Sequence, residues 1–138
     1  MSVDAFLDTN ILVYAAAGRG AEQAKRRRAL ELIDQVDFGI SAQVLQEFYV
    51  TVVHRIEVPL AAADALEWIE HLEAFPCLAI DSSLVKIAAE ISRRHRISYW
   101  DGAILAAAEA LGARTLYSED LTDGQQYGPV RVENPFRV

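Results

Sequence analysis

The amino-acid sequence predicts an α/β fold, with a mainly parallel central sheet covered by helices on both faces. Two observations carry this expectation. Short apolar runs alternate along the chain with longer stretches whose apolar residues recur at helical spacing. A strand–helix–strand succession brings consecutive strands into the same sheet side by side and parallel. In addition, the 138 residues are 52% apolar and contain no internal repeat or interdomain linker. One domain over residues 1–138 is therefore expected, long enough to bury a real core.

Taken in order, Ala5–Leu7 reads as a short buried strand that runs straight into Asp8. Asn10 or Thr9 is the expected cap of a helix beginning near Ile11. Gly18-Arg19-Gly20 interrupts the pattern, and 21–36 then reads as a helix with Ala29, Leu32, Ile33 and Val36 facing inward. A second strand covers 38–40. Ser41 caps a helix to about Arg55, with Val44, Leu45, Phe48 and Val52 on its apolar face. After Pro59, a helix over 60–74 turns Ala65, Leu66, Ile69 and Leu72 inward. Strand 77–80 follows, and Asp81 or Ser82 caps a helix over 84–94 with Leu84, Ile87, Ala88 and Ile91 inward. Ser98 begins a helix that Gly112 stops. Strand 114–117 and an edge strand at 130–132 complete a sheet of four to five strands.

Composition narrows the function classes. A formal net charge of −7 argues against a protein that binds nucleic acid over its whole surface. It leaves room for a nuclease in which metal ions offset clustered acids. Positive charge is bunched, since Lys25-Arg26-Arg27-Arg28 and Arg93-Arg94-His95-Arg96 hold seven of the thirteen Lys and Arg residues. Such runs suit phosphate contacts as well as ordinary solvated helix faces. The single cysteine, Cys77, has no partner for an internal disulfide and is expected to be a small buried hydrophobe rather than a nucleophile. No basic-then-apolar leader opens the chain and no apolar run reaches membrane-spanning length, so a cytoplasmic protein without membrane association is expected.

The chemistry lies in the acids. Asp8 follows the first strand at its carboxyl end, where open α/β sheets bind ligands. Glu47 flanks the apolar stripe of its helix. Asp101 stands in the first turn of its helix on the same face as Ile104, Leu105, Ala108 and Leu111, although Ser98 and Asp101 also fit a capping box. Asp120 follows a strand as Asp8 does, with Glu119 and Asp123 as neighbouring loop acids and Asp123 as the rival for the fourth place. Two carboxylates at strand ends and two on flanking helices can meet in one crevice, where each pair repels by up to ~4 kcal/mol at an effective dielectric near 20. Such a cage implies a hard cation. All-oxygen ligands favour Mg²⁺, with Mn²⁺ as a substitute, and the three His and one Cys show no zinc spacing. Metal-assisted attack of water on a phosphodiester is the chemistry such a cage serves.

Four segments, Phe6–Ala15, Ser41–Tyr49, Tyr99–Ile104 and Leu116–Leu121, resemble the signature blocks of PIN domains. The likeness extends in particular to the VapC-type ribonuclease toxins of toxin–antitoxin pairs. It implies a PIN-like α/β/α sandwich and a Mg²⁺-dependent endoribonuclease. By this resemblance Asp8, Glu47, Asp101 and Asp120 are the metal-binding acids, and Asn10 and Ser118 are polar supporting residues. It also implies an RNA substrate, a cognate antitoxin protein and a homodimer. Two rivals remain: a catalytically silent PIN-like scaffold, and a phosphatase with Asp8 as nucleophile. The second would place another Asp two residues on, where this chain has Asn10.

Overall fold

A computed structural model describes residues 2–137. The elements follow in the order β1 (Ala5–Leu7), α1 (Thr9–Ala17), a 3-10 turn (Gly20–Glu22), α2 (Gln23–Gln35), β2 (Phe38–Ser41), α3 (Ala42–His54) and α4 (Ala62–Leu72). Then come β3 (Cys77–Leu78), α5 (Ser82–His95), α6 (Tyr99–Ala110), β4 (Thr115–Tyr117), β5 (Gln126–Tyr127) and β6 (Val130–Glu133).

The strands form one sheet in the order β3-β2-β1-β4-β6-β5, parallel throughout except for the β5–β6 pair. Every residue of β1 and β2 is buried, as expected of central parallel strands covered on both sides. The sheet has one strand more than the four to five expected. Gly128, at φ +57, turns the chain back so that Gln126 and Tyr127 pair with β6. For the same reason Val130–Glu133 is not the expected edge strand; it lies between β4 and β5, and the edges are β3 and β5.

The helices pack as two groups. One chain of contacts runs α2–α1–α3–α4, and α5 and α6 form a separate antiparallel pair. Helix α6 is buried at every position from Gly102 to Ala108, which explains its apolar character all round. Gly102 makes this possible: a Cβ there would stand 2.6 Å from the Ala88 carbonyl oxygen and 3.0 Å from Ser92 Cβ. The core joins Phe6 and Leu7 of β1, Ile11 and Leu12 of α1, Phe38 and Ile40 of β2, Phe48 of α3, and Ile104 and Leu105 of α6.

Several local expectations change. Helix α1 begins two residues early, because Asp8, not Thr9 or Asn10, is its N-cap and accepts from Thr9 N at 2.7 Å. Strand β3 is only two residues long and lies at the sheet edge, so Cys77 is exposed rather than buried. Partial burial of its thiol, then the charge of Glu73, pushes the thiol up, which leaves it a poor nucleophile. Leu66 and Ile87, expected inside, are 56% and 51% exposed. On α4 the inward place goes to Trp68, which packs against Phe48. Among the described residues no helix is long and apolar enough to cross a membrane.

Candidate active site

The site begins with strand pairing. Strands β1 and β4 are parallel neighbours in the register Leu7 to Tyr117, so the next residues, Asp8 and Ser118, emerge side by side. The sheet order also reverses here, with β2 and β3 on one side and β6 and β5 on the other. Such a switch point opens the crevice in which open α/β sheets bind ligands. Ser118 Oγ donates to Asp8 Oδ2 at 2.7 Å and accepts from the Asp120 backbone N–H at 3.1 Å and from Asn10 Nδ2 at 3.4 Å. Asn10 Oδ1 accepts from the Glu119 backbone N–H. Asn10 and Ser118 thus tie the exit of β1 to the loop after β4.

Asp8 is only 4% exposed. Burial pushes its carboxyl up to about 7, against the hydrogen bonds from Ser118 and the Thr9 N–H; the charges of Asp120 and Glu47 add to the rise. Glu47 is brought to the same place by α3. Its two oxygens accept from Thr9 Oγ1 at 2.7 Å and from Gln43 Nε2 at 3.2 Å. Gln43 also donates to the Trp100 carbonyl at 3.2 Å, which links α3 to the first turn of α6. There Ser98 Oγ accepts from the Asp101 N–H at 3.0 Å, so the cap expected for this turn is present. The Asp101 carboxyl is half-buried and is raised by that burial first, with Asp120 and Glu47 adding to the rise and Ser98 opposing it. Asp120 itself is exposed.

Asp8 and Asp101 therefore each lie within electrostatic reach of Asp120 and Glu47. None of them has a Lys, Arg or His ion-pair partner among the described residues. The other two loop acids differ. Glu119 pairs with Lys25 Nζ at 2.9 Å and accepts from the Tyr14 hydroxyl. Asp123 serves the C-terminal segment, accepting from the Asn134 N–H at 2.8 Å and from Arg137 at 3.2 Å. Its carboxylate is committed there rather than to the crevice.

An oxygen-only donor set without counter-charge fits a hard divalent cation. In the described residues, however, no three His, Cys, Asp or Glu side chains already stand close enough to hold one ion. Glu47, Asp101 and Asp120 would close on it by side-chain rotation, since none of them is fully buried.

A groove of about 770 Å³ opens beside the acids, with Glu47 and Asp120 at one end and Arg19 and Arg55 on its walls. These arginines belong to neither basic run. In the runs themselves, Lys25 is held by Glu119, Arg28 by Glu31 and the Pro135 carbonyl, and Arg93 by Glu90. The sequence reading gave Gln43 and Tyr14 no role at the site, took Thr9 only as a candidate cap, and took Lys25 only as part of a basic run. Gln43 had a usable signal, since it stands one helical turn before Glu47. Lys25 had none, being 94 residues from Glu119.

The PIN domain family matches residues 5–122, a span that begins with β1 and contains all four acids. The chain belongs to the PIN domain family. No curated protein matches it. Solved structures share the PIN fold at low sequence identity. A toxin–antitoxin complex from Klebsiella pneumoniae aligns at a TM-score of 0.73 and 19% identity, over 98% of this chain and 100% of the other. VapC20 of Mycobacterium tuberculosis, a sarcin-ricin loop cleaving toxin, aligns at 0.69 and 22%, over 93% and 99%. VapBC2 from Rickettsia felis, bound to a DNA fragment from its promoter, aligns at 0.64 and 19%, over 94% and 97%.

Proposed function

We propose that this PIN domain, a single domain over residues 1–138, is a metal-dependent endoribonuclease of the VapC type. The observation that carries the reading is the convergence of Asp8, Glu47, Asp101 and Asp120 at the β1–β4 switch point without a cationic partner among the described residues. Carboxylates gathered this way weaken the fold unless a cation joins them, and a scaffold gains nothing from gathering them. The four acids would hold Mg²⁺, with Mn²⁺ as a substitute. A divalent ion so held supplies Lewis-acid activation of water and charge for the departing oxygen of a phosphodiester. Asn10 and Ser118 set the direction of the Asp8 carboxylate, and Thr9 and Gln43 set that of Glu47. A phosphatase using Asp8 as nucleophile is disfavoured, because Asn10 stands where such an enzyme would place its second Asp, and the Asn10 side chain is tied to Ser118 and the loop after β4.

Purified protein should cut single-stranded RNA with Mg²⁺ or Mn²⁺ and stop in EDTA. Asp8→Asn, Glu47→Gln, Asp101→Asn and Asp120→Asn should each lose at least ~100-fold in rate, the order expected when a metal-centred step is disabled. Variants that cut like wild type would exclude this site. The toxin–antitoxin complexes among the similar structures support inhibition by a cognate antitoxin, and the VapC resemblance adds a cytoplasmic homodimer to the proposal. Expression alone should arrest growth, and co-expression of the adjacent gene should relieve the arrest. Arrest that no neighbouring gene relieves would leave the antitoxin reading without support.

A further inference from the structure

Trp100 is 62% exposed, the most exposed large apolar side chain among the described residues, although indoles are mostly covered in folded proteins. It immediately precedes Asp101, and its ring is met edge-on by Tyr99 at 5.0 Å between centroids. Its carbonyl is held by Gln43, the same side chain that holds Glu47. Gln43 opens a stripe along α3. Gln43, Glu47 and Thr51 follow one another at four-residue intervals along α3, and Arg55, the residue that caps its C-terminus, continues the spacing. The stripe is ~18 Å long at 1.5 Å per residue and passes from buried Gln43, through half-buried Glu47 and Thr51, to exposed Arg55. Glu47, Thr51 and Arg55 line the groove, and Arg55 has no carboxylate partner among the described residues.

The Trp100 backbone is tied to one end of this stripe beside an exposed indole. Acids follow, and a guanidinium without a carboxylate partner among the described residues stands at the other end, a sequence with one good occupant. We propose that this stripe is the track for a single strand of RNA, with Trp100 as a base-stacking platform and Arg55 as a phosphate anchor on either side of the acids. The inference rests on the ribonuclease reading above and adds the residues that place the substrate. An unpaired base offers a π-face to an indole, whereas the stacked bases of a duplex do not. The guanidinium matches a phosphate but reads no base. The track therefore selects for single-strandedness and leaves sequence open at these two points.

The test uses the full chain. Trp68→Phe leaves Trp100 as the only tryptophan, and Asp8→Asn prevents cleavage while binding is read. In this background a short single-stranded RNA should quench Trp100 emission, and the same RNA annealed to its complement should not. Without the Trp68→Phe change, Trp100→Ala should weaken binding of labelled RNA about five- to a hundredfold, and Trp100→Phe should restore most of it. Arg55→Ala should weaken binding and lower the salt slope by about one. In otherwise wild-type protein, Trp100→Ala and Arg55→Ala should raise KM for cleavage with kcat little changed. Both side chains are exposed, and thermal melts will show that both variants fold.

Wild-type cleavage with unchanged KM and affinity in both variants would overturn the track and leave the nuclease reading intact. Absence of any cleavage by wild type, together with single-strand quenching and the affinity losses, would overturn the nuclease reading and support the track. Quenching by duplex equal to that by single strand would overturn the stacking role. So would a Trp100 emission that answers to protein concentration and not to RNA, which would place Trp100 between two copies of the chain.

Discussion

Burial of Asp8 makes a quantitative demand on the metal-free fold. Its carboxyl titrates near 7 in the folded protein against 3.8 as a free side chain. Between these values the folded state binds a proton that the unfolded state has lost, so stability falls as pH rises through this window. The cost of ionising Asp8 in the folded state is fully present above about pH 7 and absent below the unfolded value. Applied to these two values, linkage gives a cost of about 2 kcal/mol at pH 5 and about 4 kcal/mol at pH 8. Asn at position 8 is neutral at every pH; its one oxygen can accept from the Thr9 N–H but not also from the Ser118 hydroxyl, a loss that is the same at every pH.

Urea unfolding of wild type and Asp8→Asn in EDTA at pH 4, 5 and 8 should therefore diverge with rising pH. At pH 4 the two should differ only by the hydrogen bond that Asn at position 8 cannot make, an offset that pH does not change. By pH 8 the variant should lead by a few kcal/mol, and comparison with wild type at each pH removes the titration of other groups. Millimolar Mn²⁺ at pH 8 should then raise wild type, by ~2.7 kcal/mol at a hundredfold excess over Kd, because an ion bound only by the folded state stabilises it by mass action. Asp8→Asn should gain little. A variant no more stable than wild type at pH 8 would refute the argument from burial. A full Mn²⁺ response in the variant would remove Asp8 from the metal site.

Other perturbations separate the site from its supports. Gly102→Ala drives a Cβ against the α5 backbone and should cost about 1–3 kcal/mol in chemical denaturation, with a fall in cleavage because Asp101 moves with its helix. Lys25→Ala removes the ion pair to Glu119 and the cation stacked on Tyr14 and Phe136. Since this cluster is partly solvated, stability should fall by less than about 2 kcal/mol, while the loop bearing Asp120 loosens and the metal concentration for half-maximal cleavage rises. Asp123→Ala should lower the melting temperature slightly and leave cleavage and metal response unchanged; lost cleavage would return Asp123 to the site.

The parts that were legible in the sequence depend on local or strictly periodic signals. Asp8 and Asp120 announce themselves by following buried strands, and Asp101 by sharing a helix face with core residues. What local pattern could not supply was the partner of each surface. Ile87 and Leu66 have the helical phase expected of inward residues, yet no other part of the described residues covers them, and they remain exposed. Strand β5 is two residues long and exists only because Gly128 returns the chain to β6, a pairing without apolar periodicity. The Lys25–Glu119 pair reads as two unrelated charges until α2 and the loop after β4 are brought together.

The caps teach a more specific lesson, because a capping role and a site role look like competitors in a sequence. In the structure they are one device. Asp8 accepts from the Thr9 N–H and fixes the start of α1, and the same geometry holds its carboxyl over the strand ends next to Ser118. Ser98 caps α6 through the Asp101 N–H, and the Asp101 carboxyl, in the same turn, still feels the charges of Asp120 and Glu47. Helix starts at the carboxyl edge of a parallel sheet offer N–H groups to an anion, and here those groups are met by the protein's own Asp8 and Ser98 side chains. With these N–H groups satisfied internally, the acids of the crevice are left without an ion-pair partner among the described residues. The cation of the proposed function would be their complement, an argument that starts from the capping bonds rather than from any one acid taken alone.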